Sequence, residues 1–227
     1  MSLWSRILDA LARLAPGEAL AALFDRMRAP PERSVAFTIA TIALGAKMAK
    51  ADGRVTRDEV AAFREVFHIP PHEEENAARV FDLARTDVAG FEEYARRIAA
   101  MFDEQSAVLR DLMEGLFHIA AADGIYHPAE DAFLTRVAQL FRLPEREFRA
   151  IRARAIPGQD PDPYEVLGVE PDAPVEEVRA AWRRAVRDTH PDAMVARGLP
   201  EEAVKLAEKR LIAINRAWES VQAEAGV

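Results

Sequence analysis

Apolar residues recur at three- and four-residue spacings through almost every long segment of the chain, which is typical of amphipathic helices. No segment sustains the alternation of apolar and polar residues that marks a strand. Alanine, leucine, arginine and glutamate, which all favour helices, dominate the same segments. The pattern therefore predicts an all-α protein.

Proline-rich breaks interrupt this pattern at residues 28–34, 68–74 and 155–165. The last break holds three prolines and one glycine and is the best candidate for a domain boundary. We therefore expect four units, which are an N-terminal amphipathic helical segment (1–31), an all-helical domain (32–156), a linker (157–161) and a C-terminal helical domain (162–227).

The all-helical domain contains an internal repeat, with MAKADGRVTRDEVAAF at 48–63 matching IAAADGIYHPAEDAFL at 119–134. Each copy lies between two apolar helix patterns, so two related helix–turn–helix units would bury a shared core. In each copy a glutamate follows an Asp-Gly pair at the same offset. The repeated acidic residues are Asp52, Glu59, Asp123 and Glu130.

The Asp-Gly pair and the later glutamate suggest a calcium loop, but an ordinary EF-hand does not fit. Its first and third positions would be Met48 and Lys50, which offer no side-chain oxygen. Helix capping explains the repeat with local chemistry, because Thr56 and Glu59 can form a capping box. In the second copy Pro128 suits the first position of a helix, and the glutamate again lies in the first turn. We therefore favour a structural role.

The two ADG turns and their glutamates resemble the TerB-like domain, an all-helical module of tellurite-resistance proteins and of DjlA-type co-chaperones. The resemblance covers about half of the chain. Members of this family have been suggested to bind metal through such acidic residues. The resemblance therefore makes Asp52, Glu59, Asp123 and Glu130 candidate metal ligands.

The C-terminal segment opens with DPYEVLGV, which predicts a short helix ending at Gly168, and DAPVEE then begins a second helix. In the second helix Val178, Trp182 and Ala185 share a face that suits a core. Arginines spaced to share an exposed face form what we call the arginine stripe. Its members are Arg179, Arg183, Arg184 and Arg187.

A His-Pro-Asp triplet follows this helix, and we call His190, Pro191 and Asp192 the tip. Pro191 disfavours helical geometry at His190 and lacks an NH, so the helix ends sharply and the tip projects from a constrained loop. Residues 160–227 hold 9 basic and 14 acidic residues. One basic stripe in an acidic segment suits an acidic protein partner better than nucleic acid, although a solvated helix face would also explain it.

The C-terminal segment is similar to a J domain. The similarity rests on PYEVLGV, the basic second helix, the tip and the INRAWE ending, which follow in the expected order over about sixty residues. J domains bind DnaK-type chaperones and stimulate their ATP hydrolysis, so the resemblance places partner contacts on the arginine stripe and the tip. A C-terminal position behind a TerB-like domain, and the long loop HPDAMVARGLPEE, resemble the DjlA family. Ala193 departs from the lysine that commonly follows the triplet.

Charge and composition indicate the class of protein and its expected cellular location. The 227 residues are 50% hydrophobic with a net charge of −8, which fits a cytoplasmic protein and argues against a nucleic-acid binder. The uncharged stretch 35–46 is too short to span a membrane, unlike the span at the start of DjlA proteins. The amphipathic stripe within residues 1–24 could pack on the protein, which we favour, or contact the inner membrane peripherally.

The sequence contains no recognised arrangement of catalytic residues. There is no cysteine, no serine in a nucleophile elbow and no phosphate-binding loop, and the histidines at 68, 72, 118, 127 and 190 lack zinc-site spacing. We expect no enzymatic activity and no cofactor. The favoured function is a co-chaperone of a DnaK-type chaperone, with the TerB-like domain giving localisation or client choice. The alternative is a metal- or stress-sensing TerB-like protein with the J domain as output.

Overall fold

The computed structural model describes residues 3–15, 20–25, 32–52, 69, 71–86, 90–102, 106–156, 161–197, 199 and 204–225. Within these ranges it contains α-helices and short 3-10 helices and no strand, which confirms the prediction of an all-α protein. The helices are α1 (Leu3–Ala12), α2 (Glu32–Asp52), α3 (Glu74–Thr86), α4 (Phe91–Met101), α5 (Ser106–Ala120), α6 (Pro128–Leu140), α7 (Glu145–Ala155), α8 (Pro163–Leu167), α9 (Val175–Asp188), α10 (Pro191–Ala196) and α11 (Val204–Ala225).

The larger of two apolar cores forms around α2, which packs against α1, α3, α4, α5 and α6. Residues 35–46 of α2, the uncharged stretch of the sequence, are buried on every side. A helix that is apolar all round is expected at the centre of a helical domain, so this stretch is a core element. Thr41 satisfies its buried hydroxyl by donating to the carbonyl of Phe37 at 3.0 Å.

The amphipathic stripe of α1 packs into this larger core. Trp4 is 2% exposed and Ile7 is fully buried, and α1 contacts both α2 and α3. The apolar face that the alternative interpretation placed on a membrane is therefore covered by the chain itself, as the favoured interpretation predicts. Among the helices that the structure describes, none is long and apolar enough to cross a bilayer.

The smaller core lies between α8, α9 and α11. Val178 and Val221 are fully buried there, and the rings of Trp182 and Trp218 stack with their centroids 5.4 Å apart. Gly168 ends α8 with φ +67, a left-handed conformation that glycine adopts without strain. The predicted helix end at this glycine is confirmed.

We refer to α1–α7 as the N-terminal half and to α8–α11 as the C-terminal half. Helix α7 joins them, because it packs on α5 in one half and on α8 in the other. Arg154 on α7 donates from Nη1 to the carbonyl of Val166 on α8 at 2.9 Å. The two halves are therefore in direct contact.

Candidate partner-binding site

Helix α9 carries the arginine stripe, and burial of one of its faces orients the helix. Val178 lies fully buried in the smaller core, and Trp182 and Ala185 pack partly buried against that core. Glu176 and Glu177 lie in the first turn, where the helix dipole favours carboxylates. The predicted inner face is thus the inner face in the structure, and the arginines lie outside it.

Three arginines of the stripe project to solvent. Arg183, Arg184 and Arg187 are exposed, and their side chains make no ion pair or hydrogen bond with the residues that the structure describes. Arg179 differs, because its Nη1 pairs with Glu176 Oε1 at 2.8 Å and its guanidinium lies 5.7 Å from the centre of the Trp218 ring. The cations available to a partner are therefore the three at the C-terminal end of α9, next to the tip.

The tip forms a sharply turned and exposed corner. Thr189 is the C-cap of α9, is 1% exposed and donates from Oγ1 to the carbonyl of Ala185 at 2.7 Å. His190 then caps the next helix, with its Nδ1 accepting from the NH of Asp192 at 3.2 Å. The side chains of His190 and Asp192 are 62% and 93% exposed.

The capping hydrogen bond determines which ring nitrogen of His190 carries the proton in the neutral form. Because Nδ1 accepts from a backbone NH, the neutral ring carries its proton on Nε2, as assigned from this hydrogen bond. The tip therefore offers a partner an imidazole donor, a carboxylate and a proline ring on one turn.

The chain after the tip differs from the loop that the sequence predicted. Pro191 is the first residue of a short helix, α10, instead of part of an irregular loop. Proline disfavours helix at the preceding residue, but its fixed φ and missing NH suit the first position of a new helix. His190 thus lies between α9 and α10, and Pro191 and Asp192 form the first turn of α10.

Buried charges join the two halves close to the tip, and we call this cluster the junction. It consists of two carboxylates on α5 and three arginines from α7, the end of α10 and α11: Asp111, Glu114, Arg154, Arg197 and Arg210. The Nη2 atoms of Arg197 and Arg210 lie 2.9 and 2.8 Å from the two oxygens of Asp111. Glu114 pairs with Arg210 and, at 2.6 Å, with Arg154.

Two arginines of the junction stabilise the ionised form of Glu114. Burial by itself would raise the pKa of this carboxyl group, but the charges of Arg210 and Arg154 and their hydrogen bonds outweigh burial and lower it. Glu114 is therefore ionised at neutral pH and holds both guanidiniums. These five residues were not predicted, because the sequence offers only a pair of carboxylates three positions apart in a largely apolar helix as a local signal.

Curated relatives match most of the chain. The co-chaperone protein DjlA of Vibrio cholerae serotype O1 is 26% identical over 86% of this chain and 80% of its own length. The protein of the same title from Photobacterium profundum is 27% identical over the same shares, and that from Coxiella burnetii is 27% identical over 77% and 72%. No solved structure matches the chain significantly.

Family models assign both parts of the chain. The model described as tellurite resistance protein TerB matches residues 38–153, and the model of the DnaJ domain matches residues 162–225. The chain belongs to the TerB family. With a DnaJ domain behind its TerB domain, it is a DjlA-type J-domain protein, and the resemblance drawn from the sequence is confirmed.

Half of the candidate metal ligands of the TerB domain can be placed. Asp123 Oδ1 accepts from the NH of Ile125 at 2.8 Å, and Glu130 Oε2 accepts from the NH of His127 at 2.9 Å in a capping box at the start of α6. Glu59 and the side chain of Asp52 lie outside the described residues, as does the predicted Thr56 cap. The described part of the chain holds no group of three or more acidic or histidine side chains arranged for a metal ion.

Proposed function

We propose that this protein is a co-chaperone that binds a DnaK-type chaperone through the arginine stripe and the tip and stimulates its ATP hydrolysis. The observation that carries the proposal is the exposure of His190 and Asp192 beside three arginines with no described partner. These groups lie at one end of α9, whose other face is buried. The relatives titled co-chaperone protein DjlA support the same role.

The charge distribution indicates how the complex would form. Arg183, Arg184 and Arg187 present positive charge from a chain of net charge −8, so they would steer the end of α9 towards an acidic surface. The tip would then bind the partner conformation that hydrolyses ATP in preference to the other conformations, which raises its population. The bond is broken in the partner, and this chain acts as a ligand.

We also propose that the TerB domain supplies location or client choice, and that the complex forms in the cytoplasm, where ATP is available. Client proteins would be bound by the partner chaperone. The metal- or stress-sensing alternative depends on carboxylates of which Asp123 already accepts a hydrogen bond within the turn and Glu130 caps the start of α6. A local structural role is therefore sufficient to explain the described copy of the repeat.

A single-turnover ATPase assay with the DnaK-type chaperone of the same host tests the proposal. The wild-type protein is expected to accelerate hydrolysis, and His190→Gln is expected to abolish the acceleration because the imidazole donor is lost. The structure offers a matched control in His127, which also caps a helix through Nδ1, at 3.1 Å from the NH of Ala129, with a proline in the next position.

His127→Gln removes an equivalent cap, worth about 1 kcal/mol, at a site far from the stripe in sequence and on a different helix. Both variants should therefore lose similar stability, while only the variant at the tip should lose stimulation. Circular dichroism melts measure the first quantity. The proposal fails if the two variants stimulate equally well, or if wild-type protein gives no acceleration at any concentration.

A further inference from the structure

The chain that follows the tip contacts the neighbouring helices of the DnaJ domain and also reaches the apolar core of the TerB domain. Met194 is 1% exposed and Leu199 is 2% exposed, and both belong to the larger core that forms around α2. Ala207, near the start of α11, is fully buried in the same core. The segment that carries the tip into α11 therefore spans from one domain to the other.

Arg197 connects the same segment to both domains through one nitrogen. Its Nη2 donates to Asp111 Oδ2 on α5 at 2.9 Å and to the carbonyl of Asp188, the last residue of α9, at 3.0 Å. Asp188 and Arg197 stand on either side of the tip in the sequence. The guanidinium thus closes the turn that contains the tip and fastens that turn to the TerB domain.

Asp111 also contacts α11, the second long helix of the DnaJ hairpin. Its side chain is 1% exposed, and its second oxygen accepts from Arg210 Nη2 on α11 at 2.8 Å. One carboxylate of the TerB domain therefore holds the end of α10 and the middle of α11 at a fixed separation.

The buried charges of the junction are better suited to fixing the relative orientation of the two domains than to raising the stability of the protein. Burying charges costs free energy that their attraction often only offsets, whereas hydrogen-bonded pairs of fixed geometry permit one relative arrangement. The Nε atoms of Arg154 and Arg197 are buried without a hydrogen-bond partner among the described residues, which adds to the cost. The tip remains exposed in this arrangement, so the junction does not block it.

We propose that the TerB domain orients the tip, and that Arg197 is a positioning residue acting through Asp111. The proposal rests on the co-chaperone function for its activity readout. In the two-domain chain the direction of the tip relative to the arginine stripe is then set by α5 as well as by the DnaJ hairpin. Once bound, the tip would keep the one orientation that favours the hydrolysing conformation of the partner, so the coupling between binding and hydrolysis depends on this orientation.

Arg197→Met in the two-domain chain tests this role, since methionine keeps an apolar stem and removes the donors. The matched control is Arg149→Met on α7, which removes an exposed arginine of the TerB domain. Two quantities are measured, namely amide hydrogen exchange of residues 189–197 and the dependence of partner ATPase rate on protein concentration. We expect faster exchange and a several-fold loss of maximal stimulation for Arg197→Met, with neither change for the control.

The concentration of half-maximal stimulation should change less than the maximum, because the exposed arginines that drive encounter are untouched. Arg197→Lys should restore part of the loss, since one ammonium can reach both acceptors. Unchanged exchange and unchanged stimulation in Arg197→Met would overturn the proposal. If wild-type protein does not stimulate at all, the proposed function fails, and hydrogen exchange alone still decides whether Arg197 holds the tip.

Discussion

Replacing Asp111 by asparagine tests whether the junction holds the TerB and DnaJ domains together. The carboxylate is almost completely buried and receives Arg197 and Arg210, one on each oxygen. Asparagine keeps the shape and one acceptor oxygen, but it turns an NH₂ group towards one guanidinium and carries no negative charge. Two buried cations then lose their counter-charge at this position, and we expect the variant to be less stable.

The structure allows the size of the effect to be worked out. Removing one partner of a buried ion pair costs about 3–5 kcal/mol, because the remaining charge is uncompensated. The cost should lie at the lower limit, since Arg197 is 20% exposed and can turn towards water while Arg210 retains Glu114. We therefore expect a loss of about 3 kcal/mol. For a chain of this size that corresponds to a fall in Tm of roughly 6–12 °C.

Calorimetric melting measures this change and also reports whether the domains unfold together. We expect one transition for the wild type and a separation of the two domains in Asp111→Asn. The control is Glu75→Gln on α3, whose carboxylate is 81% exposed and pairs with Arg79 at the surface, so its cost should stay below about 1 kcal/mol. A Tm for Asp111→Asn within about 1 °C of the wild type would refute the reasoning.

Two further predictions concern charge. Reversing Arg183 and Arg187 to glutamate should weaken binding to the DnaK-type chaperone most strongly at low salt, where screening is least, and equal affinity of wild type and variant across a salt series would contradict it. The pKa of Glu114 is lowered from 4.5 by Arg210 and Arg154 despite burial. Its contribution to stability is therefore present above about pH 4.5 and is lost as pH falls through the lowered pKa. Glu114→Gln should melt earlier than the wild type at neutral pH and decline less steeply in acid, as melting curves at several pH values would show.

Features with local causes could be predicted from the sequence. The helical pattern, the left-handed Gly168 and the capping role of Glu130 each depend on residues a few positions apart, and the structure has them as expected. Arg179 shows where spacing alone is insufficient. It shares the face of the stripe, but a glutamate one turn earlier and the ring of Trp218 from α11 engage it.

The junction could not be predicted, because its partners are far apart in the sequence. Asp111 and Arg197 are 86 positions apart, and Asp111 and Arg210 are 99 positions apart. A single sequence shows which side chains are charged, but the pairing follows from how two domains pack. The cost of burying a charge makes such contacts hard to anticipate, since a carboxylate in a largely apolar helix is first interpreted as an exposed residue.

The junction explains why the stretch between the tip and α11 is long. If the two hairpin helices needed only a connection, a few polar residues would be enough, and an apolar or charged residue in the loop would remain exposed. Here the added residues supply three separate contacts with the TerB domain, which are made by Met194, Arg197 and Leu199. A connection of only a few residues would have no room for these three contacts. The length of this stretch is therefore explained by its packing against the TerB domain.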